Sequence, residues 1–355
     1  MAAQNGHRSP SRPLRVAVVG LGYWGPNLVR VLHELDDCEV AAICDLDQAA
    51  LAKIGRRYPA VRQTTVFEEL VADDRVDAIA VVTPVGTHFE LARAALEAGK
   101  HVFVEKPMAG SSVEAEALIA IAEERGLTLM PGHTFLYSPP VNAVRELIQS
   151  GELGEIYFIS TSRVNLGLHQ SDASVIWDLG PHDFSILRYW LQETPVRVSS
   201  MARGCVIPTI PDVAFINLEY ASSTAAHVEL SWLAPSKLRR TAVVGSEKMV
   251  VYDDTSNEPV RVFDSGVTLP VPSSFGEYKL TYRTGDIVSP RVDVGEPLAL
   301  ELADFCGAIL SGEPPRSSAQ LGLSVIQVLD AIDRSLECGG VPVDTAAVAV
   351  GAPAP

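Results

Sequence analysis

Cysteine is scarce and unpatterned: Cys38, Cys44, Cys205, Cys306 and Cys338 are odd in number and nowhere spaced C-x-x-C. This argues against a disulfide framework and a structural zinc site, so reduced thiols, a cytoplasmic location and no bound metal are expected. Long apolar runs are missing as well, since none approaches the ~18 residues that a membrane span requires. The opening MAAQNGHRSPSRP is polar and holds no apolar core of secretion-signal length. Positive charge is in short supply, with 28 Lys and Arg against 44 Asp and Glu, a net charge of −16. That balance opposes general affinity for nucleic acid or anionic membrane, although a small anion would respond to local charge. No internal repeat is evident.

What is present supports two domains: 355 residues, 47% of them hydrophobic, suffice for sizeable cores. The chain is organised around Val16-Ala17-Val18-Val19-Gly20-Leu21-Gly22-Tyr23-Trp24-Gly25. A valine-rich run reads as a strand buried on both faces. It ends in Gly20-x-Gly22-x-x-Gly25, followed by residues compatible with a helix. In a strand–turn–helix the first glycine permits the tight turn, and the second lets a pyrophosphate approach the backbone. The third lets helix and strand pack closely, while the helix N-terminus attracts the anion. A second strand, Glu39–Cys44, delivers Asp45 where a ribose-binding acid belongs. A carboxylate there accepts both ribose hydroxyls of NAD and meets a 2′-phosphate with like charge, about 4 kcal/mol at ~4 Å and an effective dielectric near 20. NAD is therefore expected over NADP. The local alternative is Asp45 as the N-cap of the next helix.

Alternation continues with helices at Gln48–Tyr58, Phe67–Ala72, Thr87–Ala98 and Val113–Arg125, and strands at Asp77–Val82, His101–Val104 and Leu127–Met130. This predicts a doubly wound α/β domain over 14–134, behind a flexible tail at 1–13. Thr83, Pro84 and His88, at a strand's carboxyl end, are expected to border the nicotinamide half of the crevice; local packing is the alternative for His88. Glu105-Lys106-Pro107 ends another buried strand, where a charged pair must be solvated, paired or used.

From about residue 135 the pattern becomes β-rich. A helix is read at Tyr137–Gln149 and another at Asp178–Leu191, among strands at Ile156–Asn165, Val196–Ala202, Val213–Tyr220, Ala225–Trp232, Thr241–Val244 and Met249–Tyr252. Residues 253–297 read as irregular strands and loops, and helices at Leu298–Leu310 and Gln320–Glu337 close the chain. Residues 135–344 are thus expected to form an α+β domain with an open, mostly antiparallel sheet for substrate and self-association, before a flexible tail at 345–355. Pro181 belongs in a first helical turn, which sets Asp178 at or near the N-cap with His182 about one turn later. A carboxylate beside an imidazole raises its basicity and orients it, as proton abstraction from an alcohol requires. An N-cap with a packed histidine is the alternative.

Glu105-Lys106-Pro107 together with Asp178-x-x-x-His182 resembles the Gfo/Idh/MocA oxidoreductases, from the Gly-rich turn through the final helices. The resemblance implies an N-terminal Rossmann domain, with Lys106 hydrogen-bonding the reacting oxygen, His182 exchanging its proton, and Asp178 supporting His182. Glu105 and Lys106 would also border the cofactor, as would Tyr23 and Trp24 in the Gly-rich turn. Gly22–Asn27, Gly132–Tyr137, Asp178–Asp183 and Ser231–Lys237 look like the nucleotide-sugar branch, with its UDP-N-acetylglucosaminuronate 3-dehydrogenases and TDP-sugar 3-ketoreductases. The implied activity is NAD-dependent oxidation at C3 of a nucleotide-linked hexose derivative. Alternatives are an NADPH-dependent ketoreductase, an inositol or free-sugar dehydrogenase, and an NAD-responsive regulatory binding protein. Arg163, Lys237, Arg239 and Arg240 are candidate cations for an anionic substrate, with Arg163 and Asn165 the foremost substrate contacts. A homodimer or homotetramer through the open sheet face is the family-level expectation.

Overall fold

The computed structural model describes residues 12–167, 169–170, 173–268 and 281–346. The chain divides into two units, one of residues up to Thr134 with Glu296–Leu323, the other of Phe135–Gly295 with the residues from Ser324 on. In the first unit the strands are Leu14–Val19 (β1), Cys38–Cys44 (β2), Arg62–Thr64 (β3), Ala78–Val81 (β4), His101–Glu105 (β5) and Leu129–Gly132 (β6). They pair in parallel in the order β3-β2-β1-β4-β5-β6. The order reverses between β1 and β4, which opens a crevice at the strands' carboxyl ends. Helices Gly25–Glu34 (α1), Gln48–Arg57 (α2), Glu68–Val71 (α3), His88–Glu97 (α4) and Ser112–Arg125 (α5) make the crossovers. Apolar runs such as Ala78–Val81 are fully buried, as strands covered on both faces must be. β3 has no apolar signature and escapes sequence reasoning; its register with Ala42–Cys44 makes it a strand.

The second unit begins with Pro139–Gln149 (α6), Ile156–Leu166 (β7) and Val175–Leu191 (α7). The strands Arg197–Arg203 (β8), Val213–Glu219 (β9), Ala225–Ser231 (β10), Leu233–Gly245 (β11), Met249–Asp253 (β12), Val260–Thr268 (β13) and Thr281–Val288 (β14) follow. Nine strands order as β14-β13-β12-β11-β7-β10-β9-β8 with Val343–Asp344 (β15) at the edge. Every pairing is antiparallel except β7 with β10. Alternation directs Ala214, Ile216 and Leu218, then Ala226, Val228 and Leu230, into the core. α7 packs over β7, β9 and β10 and against α6, where the buried Trp190 donates its indole N–H to the Val141 carbonyl at 2.8 Å.

The late helices Pro297–Ser311 (α8) and Ala319–Glu337 (α9) correct the expected division. Sequence order assigned all of 135–344 to one domain, yet 296–323 joins the first unit. Phe305 of α8 meets Phe103 of β5 edge-on at 5.7 Å, and Ser317 donates to the Pro131 carbonyl at 2.6 Å. Both expected tails are shorter where described. Arg12 forms a forked pair with Asp77 at 2.7 and 2.8 Å, and the buried Thr345 donates its backbone N–H to Val196. Residues 1–11 and 347–355 of those tails lie outside the described residues. β11 reaches well before the expected Thr241, because a register irregularity lets Leu233 and Leu238–Arg240 pair with β7 despite Pro235 and the charges beside it. The helix expected from Tyr137 starts at Pro139, Tyr137 lying in a preceding 3₁₀ turn. No described helix is long and apolar enough to cross a membrane.

Removing a buried indole costs about 3–5 kcal/mol. Trp190→Ala should therefore lower the denaturant midpoint of the second unit sharply, whereas Arg12→Ala, at an exposed ion pair, should leave stability nearly unchanged. Urea titrations followed by circular dichroism compare the two.

Candidate active site

The Gly-rich turn leaves β1 through Gly20 at φ +95°, where an added Cβ would lie 2.4 Å from the Val82 carbonyl oxygen. At Gly25 the Cβ would meet the Gly20 carbonyl oxygen at 2.0 Å, whereas at Gly22 it would enter open space. The first and third glycines are thus needed by the protein itself, and the second leaves the backbone approachable. Trp24 caps α1 without a side-chain hydrogen bond, so no side chain competes for the helix's N-terminal donors. Tyr23 and Trp24 stand exposed beside this turn, ring to ring at 5.4 Å. Asp45 accepts from the backbone N–H of Leu21 at 2.5 Å and of Asp47 at 2.8 Å, tying the end of β2 to the turn. A carboxylate offers about four acceptor positions, so hydroxyls can still join. The N-cap of α2 is Asp47, not Asp45: its side chain accepts from Ala49 N–H at 2.8 Å. An open cradle over an uncapped helix start, with an acid at the next strand end, fits a dinucleotide.

At the end of β4, Thr83 receives a hydrogen bond from Thr87, and Pro84 leads into a 3₁₀ turn. His88 is buried, its ring nitrogens 2.7 Å from the Thr83 carbonyl oxygen and 2.8 Å from that of Pro107. It therefore takes the local role, holding together the loops after β4 and β5. The Lys106–Pro107 bond is cis. Glu105 ends β5 in register with Gly132 of β6, whose missing side chain leaves room for the Glu105 carboxyl. Burial pushes that carboxyl up to about 7, against the pull of the Lys106 charge and backbone N–H. Burial, with the Lys106 charge behind it, takes His133 down to about 3, and neither of its ring nitrogens meets a partner among the described residues. Beyond it the Thr134 hydroxyl donates at 2.7 Å to Glu301 of α8, a fully buried acid held well above the usual carboxylate range by that burial. Sequence reasoning missed His133 and Glu301. The signal for Glu301 was an acid on the apolar stripe of Leu298, Leu302 and Phe305.

In the second unit α7 starts earlier than Pro181 suggested. Ser174 caps it by accepting from Trp177 N–H at 3.5 Å, and the buried Val175 and Ile176 anchor its first turn. Pro181 lies inside the helix and withholds a donor from the Trp177 carbonyl. Asp178 is consequently in the first turn, near the cap at Ser174, and one turn before His182 on the same face. The buried Trp232 donates its indole N–H to Asp178 at 3.2 Å, and Phe135 meets the His182 ring edge-on at 4.9 Å. Neither had a sequence-derived role, although both fall in segments quoted above.

Arg163 was expected to face an anionic substrate. The structure commits its charge to the buried Asp183, with Nε 2.5 Å from the carboxylate, while its guanidinium lies over Phe135 at 4.7 Å. Arg239, opposite Arg163 across β7 and β11, lies over the same ring at 5.7 Å and pairs with Asp254 at 3.2 Å. Both cations are thus neutralised. Asn165 shares the strand face of Arg163 and is half-buried, whereas alternation turns Arg240 to the opposite face with Ser162. Lys237 is exposed. Lys106 belongs to the first unit, and Asp178 and His182 to the second.

Two outcomes follow from these environments. Gly25→Ala forces the turn to shift, so NADH affinity measured by fluorescence should fall at least about tenfold, the equivalent of the ~1–3 kcal/mol that overpacking costs. His133, lowered from 6.5, contributes stability that is present above pH 6.5 and lost as pH falls toward 3. Glu105, raised from 4.5, contributes with the opposite sign, losing stability as pH rises from 4.5 through about 7. Each single-proton slope is about 1.4 kcal/mol per pH unit. The two oppose one another between pH 4.5 and 6.5, which leaves the His133 loss uncovered below. His133→Leu should flatten the acid limb of melting temperature against pH.

The family model described as "Oxidoreductase family, NAD-binding Rossmann fold" matches residues 14–133, and the "GFO/IDH/MocA C-terminal domain" matches 141–251. A D-xylose 1-dehydrogenase (NADP(+)) 2 from Haloferax volcanii is 28% identical over 91% of this chain and 97% of its own length. A UDP-N-acetylglucosamine 3-dehydrogenase from Acidithiobacillus ferrooxidans is 27% identical over 85% of this chain and 90% of its own. Among solved structures, GenD2 from gentamicin A biosynthesis, in complex with NAD, superposes with a TM-score of 0.81 at 24% identity, covering 98% of this chain and 100% of its own. With both halves matched in sequence and in fold, the chain belongs to the Gfo/Idh/MocA family of NAD-binding oxidoreductases.

Proposed function

We propose that the protein oxidises a secondary hydroxyl, at C3, of a hexose derivative carried on a nucleotide, with NAD as hydride acceptor. Membership of a family of sugar and polyol oxidoreductases gives the reaction class, and the similarity to a UDP-N-acetylglucosamine 3-dehydrogenase supports the substrate. The observation that carries the reading is the Asp178–His182 pair on one face of α7, with Trp232 fixing the acid and Phe135 packing against the imidazole. Bound NAD supplies the hydride acceptor, beside Glu105, Lys106 and the loops that His88 holds. Lys106 hydrogen-bonds the reacting oxygen and favours its developing negative charge. His182 removes the hydroxyl proton, and Asp178 stabilises the imidazolium that results. Asn165 is the polar side chain of β7 left for sugar hydroxyls, and Lys237 the exposed cation for a nucleotide phosphate. Asp45, at the end of β2, favours NAD over NADP, because its carboxylate meets a 2′-phosphate with like charge.

One observation favours a second reading. Arg163 and Arg239 both spend their charge on aspartates, so this face of the sheet suits an uncharged ring better than a uronate. A free polyol or sugar such as inositol is therefore the competing substrate.

NADH formation at 340 nm with UDP- and TDP-hexosamines, their uronates, inositol, glucose and xylose tests both. Turnover confined to nucleotide sugars upholds the first reading, and turnover confined to free polyols the second. Lys106→Met and His182→Ala should each lower kcat/KM by about 10²–10⁴, the usual range for a positioned acid–base group, with NADH affinity unchanged for His182→Ala. Activity that survives both substitutions would end the proposal.

A further inference from the structure

Two buried acids of the first unit act on one another across the seam between α8 and β5. On α8, Glu301 and Phe305 lie one turn apart, and Phe305 contacts Phe103 of β5. Phe103 and Glu105 are two residues apart on β5, hence on one face of the sheet. Glu301 is fully buried, and among the described residues its one donor is the Thr134 hydroxyl; its second oxygen, Oε1, meets no partner there. The charged groups that act on it among the described residues are acids. Glu105 on β5 and Asp304 on α8 repel an ionised Glu301. Arg30 of α1 pairs with Glu296 and Glu34, while the Cys38 thiol of β2 donates to the Leu32 carbonyl at 3.3 Å. Lys106 acts on Glu105 and on His133. The Lys106 ammonium thus balances Glu105, and a second like charge beside that carboxylate cannot persist in such a site.

We propose that Glu301 is a positioning residue for Lys106: it stays un-ionised, which leaves Glu105 as the single acid able to balance the Lys106 ammonium. The proposal rests on the reading of Lys106 as the group that meets the reacting oxygen, and it deepens that reading by naming what fixes the lysine's charge. A second negative charge would draw the ammonium toward the α8 seam and away from the substrate. The neutral acid prevents this and holds the Thr134 hydroxyl.

The test needs no substrate, so its failure is separable from failure of the proposed activity. Infrared spectra of the full chain in heavy water at pH 8 should show the carbonyl stretch of an un-ionised buried carboxylic acid. That band should vanish in Glu301→Gln, persist in Glu105→Gln, and shift in Thr134→Val, which leaves the acid in place and removes its donor. Melting temperature against pH gives the second readout. A carboxyl raised above its unfolded value of 4.5 binds a proton that the unfolded chain has released, so stability falls as pH rises. Wild type should lose more melting temperature than Glu301→Gln between pH 6 and 9. Absence of the band from wild type, its loss in Glu105→Gln alone, or parallel melting curves would each overturn the proposal. Should Glu301→Gln fail to fold, the wild-type band and its shift in Thr134→Val decide the matter.

Discussion

The carbonyl oxygen of Gly20 occupies the space that any side chain at residue 25 would need, and much of the first unit follows from this contact. It fixes how closely α1 begins behind β1, and so where the helix start stands relative to the carboxyl ends of the strands. The same turn gives its Leu21 N–H to Asp45, which locks the end of β2 to the cofactor cradle. His88 does similar work across the crevice by bridging the loops after β4 and β5 through two carbonyl oxygens. The cradle is therefore made rigid by backbone contacts and buried polar links before any cofactor arrives, and less ordering remains for binding to accomplish.

Polar groups in the second unit follow a different rule. Arg163 and Asp183 are both buried, and a pair taken out of water is tolerable only when geometry and further partners compensate. Asp183 receives the Thr161 hydroxyl as well, and Phe135 presents its face to the guanidinium. The ring also contacts His182, so one phenylalanine joins the ion pair to the candidate base. This couples the orientation of the imidazole to the packing of β7 and α7 without requiring a hydrogen bond to the arginine.

Much of this was legible because spacing encodes it. Gly20-x-Gly22-x-x-Gly25, Asp45 and the alternation of strands and helices are local patterns, and each appears in the structure near its expected place. Pro181 points to a later start for α7 than the one Ser174 sets; a good cap and buried first-turn side chains outweigh one missing donor. Pro235, Lys237 and the two arginines look like a loop, and only the register with β7 makes that stretch part of β11. The fate of Arg163 was invisible for a similar reason. A charge announces itself in sequence, but the partner that neutralises it, Asp183, becomes a neighbour only when α7 settles on the sheet. Glu301 lies 196 residues from Glu105 (301 − 105), and nothing local links them.

That distance has a bearing on biosynthesis. The first unit takes α8 from residues 296–323, after the whole β-rich segment has been made. On the ribosome, then, the six parallel strands wait for most of the chain before Phe305 can cover Phe103. An excised fragment ending at Thr134 would present that bare seam to solvent, with an unescorted glutamate beside it. Such a nascent chain is a natural client for a holdase until its last helices emerge.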